Sequence, residues 1–329
     1  MAEIGMIGAG SWGTALAWLL ENNGHHVTIW SAKEGEIEEL RETRENRQKL
    51  PGVILQEDVS YTVDLKEACS DKDIIVVAVA SPYVRSTAKK MKDFVRYGQL
   101  IVSVAKGIEE DTLCTLSMII SEEIPQSQTV VLCGPSHAEE VGKGMPTLVV
   151  AGSENERDSA YVQDIFMSDV FRVYTSTDPY GMQIGAALKN VIALAAGIMD
   201  GVGYGDNTKA ALITRGITEI SRLGVAAGGE ESTFYGLTGV GDLIVTCAST
   251  HSRNRTAGFL IGQGKSYDEA MTEVKQVVEG VYSAKSAMQL AKKYNVEVPI
   301  IEQVNAVLFE GKDPKEAVFD LMCRDKKGE

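Results

Sequence analysis

Residues 3–30 read EIGMIGAGSWGTALAWLLENNGHHVTIW. Residues 3–7 form a short apolar run, and "TALAWLLENNG" is an amphipathic helical stretch closed by Gly24, a residue suited to ending a helix. "HHVTIW" is β-branched and reads as a second strand. Between the first strand and the helix lies Gly8-Ala9-Gly10-Ser11-Trp12-Gly13, which fits GxGxxG. The spacing alone is a weak signal, because glycines cluster in many turns. Following a strand and opening a helix at the head of a β-α-β unit, it reads as a dinucleotide-binding turn. Gly8 allows the sharp turn, Gly10 lets the backbone approach a pyrophosphate, and Gly13 lets helix and strand pack closely. The phosphates then lie on the helix N-terminus.

The same pattern extends through the first half. Further strands are expected at 73–80, 99–105, 129–134 and 147–152, with helical segments between them. The first three are continuous apolar runs, as strands buried on both faces require. From about Asp178 the strand pattern stops. Helical runs follow at 180–199, 207–224, 232–246, 253–263, 267–274, 280–294, 299–310 and 313–323. The expected fold class is α/β: an N-terminal doubly wound, mostly parallel Rossmann-type sheet, then an all-helical C-terminal domain. The division is 1–178 for the dinucleotide and 179–329 for substrate and catalysis. "EGEIEELRETRENRQK" (34–49) reads as a charge-rich, solvated helix whose Lys49 approaches the cofactor.

Composition narrows the function. The chain has 329 residues, 44% hydrophobic and 24% charged, with a net charge of −14, so it is a soluble globular type and a poor general nucleic-acid binder. Positive charge for an anionic ligand must therefore be local. No signal peptide is expected at the N-terminus, and a membrane span over 181–198 is disfavoured by Lys189 and three glycines. Five scattered cysteines without CxxC spacing read as reduced, cytoplasmic thiols, and the four histidines form no metal-ligand pattern.

Several residues stand where such a fold places chemistry. The second strand ends Trp30-Ser31-Ala32-Lys33, without the acidic residue that usually holds the ribose of NAD. Ser31 and Lys33 would not repel a 2′-phosphate, so NADP is allowed and even favoured by these residues. In "SVAKGIE", Lys106 follows a buried strand directly, and in "CGPSHAEEV", Gly134, Pro135 and Ser136 form a turn at the end of the next. Within the apolar run "GAALKNVIALAAG" (185–197) the one charge is Lys189, and burying an ammonium demands an anion or a shifted pKa. Asp242 sits early in another apolar helix. Ser252, Arg253 and Asn254 form a compact cluster of donors suited to a phosphate.

Taken together, "IGAGSWGTALA", "VAKGIE", "GPSHAEEV", "FRVYTSTD", "GAALKNVIALAAGIMDG", "ALITRGITEISRLG", "TGVGDLIVTC", "SRNR" and "QVVEG" run in order from residue 7 to 280. With them the chain resembles the soluble, bacterial-type NAD(P)-dependent glycerol-3-phosphate dehydrogenases. The resemblance implies reduction of dihydroxyacetone phosphate to sn-glycerol 3-phosphate, a homodimer, and supply of phospholipid synthesis. It implies that Ser11 and Trp12 lie on the cofactor and that Lys106 contacts both cofactor and substrate. Gly134 and Ser136 would line the substrate, and Ala138 the cofactor. Lys189 would be the proton donor and acceptor. Asp242, Ser252, Arg253 and Asn254 would complete the substrate site, with Arg253, Val277 and Glu279 also at the cofactor. In the family a His or Arg often follows the second strand; here Ser31 and Ala32 leave the choice between NADP and NAD open. For the proton step Lys189 needs a pKa nearer neutrality than a free lysine's; apolar surroundings and Lys106 favour this and Asp242 opposes it. A β-hydroxyacid or sugar-acid dehydrogenase of the same two-domain plan is the alternative enzyme. A non-catalytic dinucleotide sensor is the alternative of another class, and turnover assays separate it.

Overall fold

Along the central strands every second side chain points to the same face, and this sorts the helices into two layers. The computed structural model describes residues 1–326 and 328. Its strands are β1 (Glu3–Ile7), β2 (His26–Trp30), β3 (Ser60–Thr62), β4 (Ile74–Val77), β5 (Leu100–Ser103), β6 (Gln128–Cys133), β7 (Thr147–Gly152) and β8 (Phe171–Ser176). They form one sheet in the order β3-β2-β1-β4-β5-β6-β7-β8, parallel throughout except for β6 against β7. Ile4 lies opposite Val27 and Ile74, and Met6 opposite Ile29 and Val76. The chain winds outward from β1 to β3, then returns to β4 on the other side of β1. That reversal is where such sheets open a crevice at the strands' carboxyl ends.

Helices α1 (Ser11–Asn22), α2 (Glu34–Thr43), α3 (Leu65–Cys69), α4 (Val84–Met91), α5 (Leu116–Glu123), α6 (Ala138–Val141) and α7 (Glu156–Phe166) accompany the sheet. Ile4, Met6, Ile29, Ile74 and Val76 share one core with Leu16 and Leu20 of α1 and Phe166 of α7. Ile7, Ile75, Val77 and Ile101 share the other with Leu65 of α3, Met91 of α4 and Ile120 of α5. Covering both faces is what makes these strands read as unbroken apolar runs.

The helical part comprises α8 (Pro179–Val202), α9 (Asp206–Ala226), α10 (Glu231–Phe234), α11 (Asp242–Ala248), α12 (Arg253–Gly262), α13 (Tyr267–Val274), α14 (Glu279–Tyr294), α15 (Pro299–Phe309) and α16 (Pro314–Met322). Two compact units emerge. One holds Met1–Lys106 and Cys114–Gln183; the other holds Gly107–Leu113 and the chain from Ile184 onward. Among the described residues α8 is the one helix long and apolar enough to cross a membrane, and its most apolar window is wholly buried inside the protein. Glycines let α8 and α12 touch backbone to backbone: a Cβ on Gly197 would lie 2.0 Å from Arg255 O, and one on Gly258 2.1 Å from Leu194 O.

Three expectations need correction. The helix expected over 34–49 ends at Thr43, where Arg44 turns left-handed (φ 56°) and the Thr43 hydroxyl donates to Glu39 O and accepts from Glu45 N. The single helix expected over 232–246 is α10, a π-turn (Leu237–Gly241) and α11. A Cβ on Gly239 would lie 1.9 Å from Phe234 O, so the chain doubles back there more tightly than a regular helix allows. Strands β3 and β8 were not anticipated. β3 is a three-residue edge strand, and β8 alternates buried Phe171 and Val173 with exposed Arg172 and Tyr174.

One buried carboxylate is structural. Val298 gives α15 no side-chain cap; instead Glu219 of α9 accepts from Ile300 N (2.8 Å) and Ile301 N (3.4 Å). Burial pushes the Glu219 carboxyl up to about 7, against the lowering by those backbone donors. A raised native pKa means the folded state binds the proton more tightly. The stabilisation is full below the unfolded value near 4.5 and is lost as pH rises through about 7. Urea unfolding at pH 4.5 and 7.5 should show wild type losing ~3 kcal/mol relative to Glu219→Gln. Parallel pH profiles for the two proteins would refute this role.

Candidate active site

The sequence-expected residues gather at three places. The first is the turn after β1. Gly8 adopts φ +127°, and its N–H donates to Trp30 O (3.0 Å), joining the turn to the end of β2. A Cβ on Gly13 would strike Gly8 O at 2.0 Å, whereas one on Gly10 would meet nothing within 4 Å. The space over Gly10 is thus open, and α1 begins there with no side-chain cap and no acidic residue in its first turn. Its first N–H groups face outward as donors for an anion, as a pyrophosphate requires. Ser11 and Trp12 stand at the head of this helix, with Trp12 packed on the core.

Beside that turn lie Ser31, Lys33 and Lys49, and they converge on a residue sequence reasoning passed over, Glu36. Its Oε1 receives Lys49 Nζ at 2.6 Å and has Lys33 Nζ at 3.5 Å, while Oε2 accepts from Ser31 Oγ at 2.8 Å. Burial raises the Glu36 carboxyl, but the hydrogen bonds from Lys49 and Ser31 and the two lysine charges outweigh it and hold it below the ordinary carboxylate value. Asn46, also passed over, ties this corner to the glycine turn: its amide donates to Ala9 O (2.8 Å) and its Oδ1 accepts from Lys49 N (3.1 Å).

The second place is the ends of β5 and β6. Lys106 Nζ donates to Gly134 O at 3.2 Å, and Ser136 Oγ donates to the same carbonyl at 3.1 Å. A Cβ on Gly134 would come within 2.9 Å of Leu148 O, so only glycine fits that turn. Ala138 follows, buried at the start of α6.

The third place lies in the helical unit. Lys189, 5% exposed on α8, donates to Asp242 Oδ1 (2.9 Å) and to Thr246 Oγ1 (2.5 Å). The π-turn sets this up. A Cβ on Gly185, one helical turn before Lys189, would lie 3.3 Å from Thr238 O, so the turn packs on α8 and starts α11 at Asp242. The Lys189 and Asp242 side chains form a buried ion pair, 6% and 2% exposed. Next to it, Asn190 Oδ1 accepts from Asn254 Nδ2 (2.9 Å), and Asn254 Oδ1 accepts from Gly280 N (2.8 Å). Asn254 thereby draws the start of α14, with Glu279, onto α8 and α12, and Val277 lies just before it, half-buried. The Nδ2 of Asn190 is buried with no hydrogen-bond partner among the described residues, a donor left for a ligand. Ser252 is buried and caps α12 by accepting from Arg255 N (3.2 Å). Arg253 is exposed at the head of that helix, 3.5 Å from Gln276 Oε1.

Thr246 and Asn190 were readable in outline. Thr246 is four residues after Asp242 on an otherwise apolar helix face, and Asn190 adjoins the one lysine of α8. Asn46 had no signal, because its partner is a main-chain carbonyl 37 residues away.

The N-terminal profile of the NAD-dependent glycerol-3-phosphate dehydrogenases matches residues 3–159, and their C-terminal profile matches 178–319. The chain belongs to this family. It is 64% identical to the glycerol-3-phosphate dehydrogenase [NAD(P)+] of Fusobacterium nucleatum, across 99% of this chain and 98% of that one. It is 50% identical to the Bacillus subtilis protein of the same name, across 100% and 96%. The crystal structure of glycerol-3-phosphate dehydrogenase from Coxiella burnetii superposes with a TM-score of 0.95 at 35% identity, covering 98% of this chain and 99% of that one.

In this dehydrogenase family member the buried ion pair has a stability signature. Asp242→Ala should destabilise by about 3–5 kcal/mol, because it strands a buried ammonium. Lys189→Met combined with Asp242→Leu should recover most of that loss. Equal losses in the single and double variants, measured by urea unfolding, would mean the pair is not coupled.

Proposed function

We propose that the protein reduces dihydroxyacetone phosphate to sn-glycerol 3-phosphate with NADH or NADPH, and that Lys189 carries the proton. The observation that carries this reading is the lysine itself, a buried ammonium fixed by Asp242 and Thr246. The dinucleotide, when bound, supplies a hydride.

The chain's own residues do the rest. The open glycine turn and the head of α1 take the pyrophosphate, with Ser11 and Trp12 beside it. Ser31, Lys33 and Lys49 flank the adenosine end, and Lys106, Ala138, Arg253, Val277 and Glu279 are the remaining cofactor contacts in this reading. Lys189 faces the substrate carbonyl oxygen as negative charge grows there, stabilises it, and donates a proton to form the alcohol. Solvent restores that proton before the next turnover. Asp242 and Thr246 hold the ammonium at one position. Gly134 and Ser136, with Lys106, line the substrate, and Ser252, Arg253 and Asn254 hold its phosphate. In this reading residues 1–178 bind the dinucleotide and 179–329 supply the substrate site and the proton. The setting proposed is a cytoplasmic homodimer that feeds phospholipid synthesis and acts on a small phosphorylated triose rather than nucleic acid.

Lys189→Met should lower kcat at least ~100-fold, the lower end for general acid catalysis, while the Kd for the dinucleotide stays within about twofold of wild type. A variant keeping a tenth of the wild-type rate would remove the proton role. Arg253→Ala should raise the KM for dihydroxyacetone phosphate by roughly ten- to a hundredfold with a smaller effect on kcat, the loss of one charge-assisted contact. An unchanged KM would assign the phosphate to other donors. Both are read from the oxidation of the reduced dinucleotide by absorbance.

A further inference from the structure

At the end of β2 two lysines and one carboxylate share a corner. Lys33 and Lys49 look, in the sequence, like a pair waiting for a phosphate. In the folded chain both point at the same atom, Oε1 of Glu36. Oε2 holds the hydroxyl of Ser31, and Ser31 Oγ in turn accepts from Lys33 N at 3.2 Å. The corner is anchored to the glycine turn through Trp30 O with Gly8 N and through Asn46 with Ala9 O. Glu36 is therefore fixed beside the turn and is not a drifting surface acid. Its side chain keeps 22% of its surface exposed. An ionised carboxylate has about four acceptor sites, so it can take a further hydroxyl while keeping these partners. A phosphate at the same corner must take Lys33 and Lys49 from the Glu36 carboxylate or lie against it, and like charges so placed repel.

We propose that Glu36 selects the dinucleotide in this chain, favouring NADH over NADPH by accepting the adenosine ribose 2′-hydroxyl and repelling a 2′-phosphate. The proposal rests on the dinucleotide-binding reading given above. Glu36 thus fills the place of the acidic residue missing from the strand end itself. It reaches back from α2, and Lys33 and Lys49 are its counter-ions.

The test is equilibrium binding, without substrate, by fluorescence titration of the whole protein with NADH and, separately, NADPH. Wild type should bind NADH at least ~10-fold more tightly. Glu36→Gln keeps the shape and an acceptor for Ser31 but frees both lysines, so the NADPH-to-NADH ratio of Kd values should fall at least ~10-fold. Glu36→Ala should move it the same way. Wild type binding NADPH as tightly as NADH would overturn the proposal, and so would an unchanged ratio in folded variants, while dinucleotide binding itself stood. If neither variant folds, the wild-type ratio decides. Failure of folded wild type to bind either dinucleotide would instead sink the dinucleotide reading, and this proposal with it.

Discussion

A single buried ammonium organises the helical unit. Lys189 lies in a helix that is otherwise apolar over most of its length, and an unpaired charge there would cost several kcal/mol. The chain meets this cost with Asp242, 53 residues away, and everything between has to deliver that carboxylate to one point. The π-turn before α11 does so by folding tightly over Phe234 and resting on Gly185. π-turns inserted in helices recur at functional sites because they shift the helix face by part of a turn. Here the shift directs both Asp242 and Thr246, one helical turn apart, at the same Nζ.

The sheet unit solves a related problem with opposite sign. The protein carries a net charge of −14, so an anionic ligand meets repulsion over much of its surface. Donors for an anion are concentrated at few places, the open head of α1 and Lys106 at the end of β5, whereas the lysines beside β2 are already paired with Glu36. These lie at the carboxyl ends of strands that run parallel, so the sheet's winding assembles them at one edge. None of them needs a basic surface to work, since each acts at hydrogen-bonding range.

Much of this was legible. The glycine turn, the central strands and nearly every helix follow from apolar periodicity, because the residues that set the period are the ones that enter the core. Lys106, Lys189 and Asp242 were visible as charged residues at a strand end or in apolar helices, and Gly134 as part of a turn. The failures share a cause. Glu36 sits in a run of charges that looks solvated, and periodicity cannot show that the chain breaks at Arg44 and brings Lys49 back onto it. Edge strand β8 has a clear two-residue alternation, but only a partner strand makes that pattern a strand rather than a loop. The break within 232–246 rests on close contacts of Gly239, which hydrophobicity does not encode.

Two buried charges in the helical unit show how structure separates scaffolding from chemistry. Glu219 is held by main-chain N–H groups at the start of α15. Those donors cannot titrate or move without unwinding the helix, so the carboxylate is a cap, and its perturbed ionisation is a consequence of burial. Lys189 is held by a carboxylate and a hydroxyl, both on side chains. Its partners can stay in place while a proton leaves, because Asp242 and Thr246 remain bound to α11 whichever form the amine takes. The chemistry of the partners separates the two groups: main-chain donors fix Glu219 as part of a helix start, whereas side chains alone position Lys189.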